Sequence, residues 1–120
     1  MGKSTENFFR LVPTNRMKRP VTGAEWHPPA DVYRTADGWI VKVELAGVRP
    51  DELEITIRDS ILRISGSRRD TMCRQNILCH QLEITYSRFE KTLRFPCPIE
   101  GAEIERDYRD GLLILNLRCG

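Results

Sequence analysis

The sequence is short of the groups that most chemistry needs. It has two histidines, His27 and His80, and its four cysteines (Cys73, Cys79, Cys97 and Cys119) include no Cys-x-x-Cys pair. Tetrahedral zinc asks for four nitrogen or sulfur ligands at motif spacing, so no structural zinc is expected. With two histidines, no Ser-His-Asp trio has positional support. The glycines at 38, 47, 66, 101, 111 and 120 stand singly rather than in a phosphate-cradling loop. No run approaches the ~20 apolar residues of a membrane span. The first six residues lack an apolar signal core, and Glu6 stands where a myristoylation signal wants Ser or Thr. Aromatics do not alternate with basic residues as in a base-stacking strand pair. Nineteen basic and seventeen acidic residues leave a net charge of +2, which argues for neither a nucleic-acid nor a membrane partner. The expectation is a soluble cytoplasmic protein without a cofactor, and not an enzyme.

Alternation is abundant. Trp39, Val41, Val43 and Leu45 share one face of a segment whose other face carries Ile40, Lys42 and Glu44. That is the period of a half-buried strand. Leu53, Ile55 and Ile57 alternate with Glu54, Thr56 and Arg58, and Leu62 and Ile64 follow the Asp59-Ser60 turn. Further strands are expected over 31–35, 80–85 (Leu82 and Ile84 inward), 89–95 and 104–109. Asp110-Gly111, the preferred pair for a two-residue hairpin, leads into Leu113, Leu115 and Leu117 on one face. Asp37-Gly38 is read as a second turn. Pro96 and Pro98 stop the strand before them, because proline cannot donate to a ladder. Many short strands, frequent turns and no sustained helical spacing predict an all-β antiparallel sandwich over residues 29–120.

Residues 1–28 differ. They carry Pro13, Pro20 and Pro28, a basic cluster (Arg16, Lys18, Arg19), and one apolar knot made of Phe8, Phe9, Leu11 and Val12 around Arg10. No period persists, so a flexible arm with one adhesive spot is expected. A polar stretch, Ser67 to Asn76, follows Gly66, and the segment between Gly66 and Leu82 is long for a hairpin loop. Cys73 and Cys79 near it are read as reduced thiols, with a redox-sensitive pair as the sharper alternative. Binding through surfaces is then the remaining class of function. An apolar groove beside an edge strand can take an extended peptide. The groove residues expected are Leu53, Ile55, Ile57, Phe89 and Leu93.

From Pro29 onward the chain resembles the α-crystallin domain of small heat-shock proteins. Asp31-Val32-Tyr33-Arg34-Thr35 is similar to that domain's opening strand. Leu45-Ala46-Gly47-Val48-Arg49-Pro50-Asp51-Glu52-Leu53 resembles its "L-P-G-V-x-P-E-D-I" connection, and Leu62-Arg63-Ile64-Ser65-Gly66 its "L-x-I-x-G". Tyr86-Ser87-Arg88-Phe89 and Gly111-Leu112-Leu113 resemble "Y-G-R-F" and the terminal "G-x-L". The resemblance implies an immunoglobulin-like sandwich and an ATP-independent holdase that keeps partly unfolded proteins from aggregating. It also implies a homodimer, and oligomers built from it, in which the loop crosses to a partner. Arg69, Met72, Cys73, Arg74, Ile77 and Leu78 would carry that exchange. Three departures stand out. Arg106 occupies a position where many members have a small residue, Leu117-Arg118 replaces the usual "L-P", and no "I-x-I" segment follows. The expectation is a groove left open for clients or filled by the N-terminal arm, without cages built by the tail route. The competing readings are a CS-domain-like co-chaperone and a peptide-binding interaction module.

Overall fold

The computed structural model describes residues 26–72 and 75–119. Among these described residues seven strands form: β1 (Ala30–Arg34), β2 (Gly38–Glu44), β3 (Glu54–Arg58), β4 (Ile61–Ser67), β5 (Arg88–Arg94), β6 (Glu103–Arg109) and β7 (Leu112–Arg118). A single 3-10 turn, Pro50–Glu52, precedes β3, with proline at its start where the missing N–H is not needed. All pairings are antiparallel. One sheet has four strands in the order β1-β2-β7-β6, and the other has three in the order β3-β4-β5.

The alternation read from the sequence sets what lies between the sheets. Val41, Val43 and Leu45 from the β2 segment, Leu62 and Ile64 from β4, and Leu113, Leu115 and Leu117 from β7 are all buried. These belong to the middle strands, covered on both sides within their sheets. Trp39 closes one end of the core, edge-to-face against Phe95 with ring centroids 5.1 Å apart. Burying such side chains stabilises by about 1.5–3 kcal/mol each, which is what opposes the chain entropy of ordering the strands.

The turns follow from side-chain chemistry. Asp110 and Gly111 both have positive φ, as the β6–β7 hairpin demands. Asp59 also takes a left-handed conformation, and its N–H donates to Glu100 Oε1 at 2.9 Å, tying the β3–β4 turn to the β5–β6 connection. Gly38 has a different reason from the one expected. It opens β2 rather than turning the chain. A Cβ there would lie 1.8 Å from the Leu117 carbonyl oxygen, so only glycine lets β2 and β7 approach.

One expected strand does not form. Residues 80–85 join neither sheet, and Leu82 and Ile84, read as inward, are exposed. β4 already has β3 on one side and β5 on the other, so only a sheet edge is open to this segment, and there it would be covered by a neighbouring strand on one side alone. The flexible-arm reading of the N-terminus rests almost entirely on residues 1–25, outside the described residues. Its last part packs on the domain: Pro28 is buried, and Trp26 meets Phe89 edge-to-face at 5.2 Å.

Candidate groove between the sheet edges

The two sheets differ in width by one strand, and this leaves apolar surface uncovered at the rims of the wider one. Directly opposite residues of an antiparallel pair share a face. Ile104, Arg106 and Tyr108 of β6 stand opposite Leu117, Leu115 and Leu113, so they point to the core side. Yet Ile104 remains 39% exposed and Arg106 is exposed as well. Val32 on β1, opposite buried Val41, is 41% exposed on the other rim.

The edge of the three-stranded sheet lies along the β6 flank. Tyr108 Oη donates to the Leu45 carbonyl at 2.6 Å. A notch of about 160 Å³ is lined by Pro50, Leu53, Arg106, Asp107, Tyr108 and Leu113. That is below the ~300–1,000 Å³ of a small-molecule pocket and suits a side chain of an extended peptide. Further along the flank, Ile55 and Ile57 face the core side opposite Ile64 and Leu62, and both are only half-buried.

Of the groove residues expected from sequence, Ile55 and Ile57 fall on this flank, and Leu53 lines the notch while remaining 6% exposed. Phe89 and Leu93 are on β5, the opposite edge of the three-stranded sheet. Phe89 is core, and Leu93 is half-buried against it. The structure therefore does not bring the five residues into one surface. Sequence reasoning missed Ile104 and Tyr108, and it singled out Arg106 only as a departure from the family pattern, not as a groove residue. Their signal was present, since an arginine interrupts the inward face of β6.

The loop expected to mediate dimerisation leaves and re-enters the domain at a defined neck. The Arg68 N–H donates to the Ser87 carbonyl at 2.9 Å. Arg68 Nε and Nη2 both reach the Thr85 carbonyl, at 2.9 and 2.7 Å, and Nη1 reaches the Ala46 carbonyl at 3.1 Å. The same guanidinium lies 3.9 Å from the centre of the Trp26 ring. Beyond the neck, Arg69 pairs with Glu52, and Met72 and Leu78 are exposed while Ile77 is half-buried. A cleft of about 320 Å³ there is lined by Met72, Ile77, Leu78, Cys79 and Leu82 among others. Cys73 and Arg74, and the arm residues Phe8, Phe9, Leu11 and Val12, lie outside the described residues.

Comparison with known proteins agrees with this architecture. The model of the Hsp20/alpha crystallin family matches residues 31–119. Small heat shock protein hspG11 of Dictyostelium discoideum is 43% identical over 65 residues, 54% of this chain and 57% of that protein. Small heat shock protein C2 of Rickettsia felis is 27% identical over 90 residues, 75% of this chain and 58% of that protein. The chain thus spans less than two thirds of the length of either relative. The solved structure of heat shock protein 16.0 from Schizosaccharomyces pombe superposes with a TM-score of 0.72 at 27% identity, covering 79% of this chain and 88% of that one. With the family model spanning all seven strands but the first residue of β1, this chain belongs to the Hsp20/alpha crystallin family.

Proposed function

We propose that the protein is an ATP-independent holdase that captures extended, apolar segments of partly unfolded proteins, with no catalytic turnover. The observation that carries this reading is the flank where β6 presents core-side residues that no strand covers, beside the half-buried isoleucines of β3. A surface of this kind offers both an apolar trough and free edge-strand amides, the two elements of strand-addition binding. The occupants are partly folded proteins, and the protein works in the cytoplasm.

The working unit is a homodimer made by loop exchange, from which larger oligomers are built. Exposed Met72 and Leu78 and half-buried Ile77, together with Arg69, Cys73 and Arg74, form the exchanged segment. The open rim of β1, with Val32 and Tyr33 exposed, supports a partner's segment adding there. Covering that rim removes an aggregation-prone edge, which gives the dimer a physical motive. The arm residues Phe8, Phe9, Leu11 and Val12 add a second adhesive site for clients or sister subunits.

The test is light scattering on a warmed model client, with and without added protein and in the absence of nucleotide, alongside the mass of the protein over a concentration series. Suppression of aggregation by a dimer or larger species is expected. A monomer at all concentrations that leaves the client unprotected overturns the proposal.

A further inference from the structure

We infer that Arg106 makes the groove between β3 and β6 selective for apolar segments that carry a carboxylate, and so deepens the groove reading on which it rests. Arg106 is opposite Leu115, on the core side of an edge strand, and it lines the notch with Pro50, Leu53 and Tyr108. Among the described residues its side chain makes no hydrogen bond or ion pair. The neighbouring acids are engaged elsewhere. Asp107 also contributes to the wall of the notch, but it is paired opposite Ile114 and its carboxylate holds Arg109 at 3.3 Å; Glu105 holds Arg118, and Asp51 holds Arg49 at 3.5 Å.

An extended apolar peptide that closes over this flank takes water from the guanidinium. Without a counter-charge that removal is costly, because a charge is left desolvated and unpaired. An Asp or Glu at the matching position offsets the cost through charge-assisted, two-pronged hydrogen bonds that a guanidinium is shaped to give. A Lys or Arg there is repelled. The discrimination is therefore built from a penalty against wrong occupants as much as from attraction to the right one. The knot of the N-terminal arm, Phe8 to Val12, carries Arg10 and no carboxylate. By charge it is a poor match for this position, which points to an external occupant instead.

An inward charge on an edge strand also discourages sheet-to-sheet association. That role alone predicts no preference among bound peptides, so the two are separable. The experiment uses the full chain and three matched fluorescent peptides of alternating Val and Thr with a central Glu, Gln or Lys. Binding is followed by anisotropy for the wild type, Arg106→Ala, Arg106→Glu and Ile104→Ser. The expected result is Glu over Gln by about tenfold on the wild type, with Lys weakest. Arg106→Ala should flatten the series and Arg106→Glu should reverse it. Ile104→Ser should weaken all three peptides equally. If the wild type binds the three alike and Ile104→Ser weakens them, the selectivity is wrong and the groove stands. A uniform gain on Arg106→Ala likewise leaves Arg106 only as an edge guard. If the wild type binds none of them, or Ile104→Ser changes nothing, both the selectivity and the groove fall.

Discussion

Replacing Arg68 by alanine should cost about 2 kcal/mol of stability, counting a forked charged hydrogen bond, a second single one and a cation–π contact, each at the low end for a half-exposed group. The fork is the pair Nε and Nη2 on the Thr85 carbonyl, the single bond joins Nη1 to the Ala46 carbonyl, and the ring is Trp26 at 3.9 Å. For a domain of this size that corresponds to a fall in Tm of about 10 °C. The informative comparison is Arg68→Lys. A lysine keeps the charge and the aliphatic stem but has no planar fork, so it cannot serve two carbonyls in different directions while stacking on Trp26. It should recover less than half of the loss. Urea unfolding followed by circular dichroism gives the stability, and Trp26 fluorescence should shift in both variants as the cation leaves the ring. Amide exchange at Arg68, whose N–H bonds the Ser87 carbonyl, should accelerate in step. If Arg68→Lys matches the wild type within a few tenths of a kcal/mol, the reasoning from fork geometry is refuted, and only the charge matters.

Three further outcomes are expected. Tyr108→Phe should destabilise by about 1 kcal/mol in the same urea assay, because the Leu45 carbonyl loses one donor but keeps the Val48 N–H; a larger loss would mean that the hydroxyl holds the flank together. Gly38→Ala should cost about 3 kcal/mol or more, since its Cβ would lie 1.8 Å from a backbone oxygen that cannot rotate away; a stable, soluble variant would show that β2 and β7 can part there. Leu78→Ser should leave Tm of the isolated domain nearly unchanged, because this side chain is 47% exposed, while shifting the concentration-dependent mass toward monomer; an unchanged mass would remove Leu78 from the dimer contact.

Most of the sandwich was legible because alternation is a direct record of which face is dry. Trp39 to Leu45 and Leu113 to Leu117 lie in the middle of the wider sheet, where both neighbours are strands and one face is wholly covered. Alternation says less at the margins. Residues 80–85 have a strand's pattern, but the pattern reports only that a segment could pair, not that a central slot is vacant for it within the same chain. The groove was half legible for a related reason. Local sequence assigns Leu53, Ile55, Phe89 and Leu93 to inward faces, and that assignment holds. Which inward faces are left uncovered depends on how far one sheet overlaps the other, a quantity that no single strand encodes. Arg106 was the exception, because a cation within an otherwise core-facing row signals incomplete cover.

The neck at Arg68 and Ser87 has an engineering consequence. The two points where the excursion leaves and rejoins the sandwich are held together by backbone and guanidinium bonds, independent of what lies between them. The entropy of closing that loop is settled at the neck, and each doubling of its length adds only ~0.6 kcal/mol. The segment between is therefore an interchangeable cassette. Its length and composition can be rewritten while the register of β4 against β5 stays fixed.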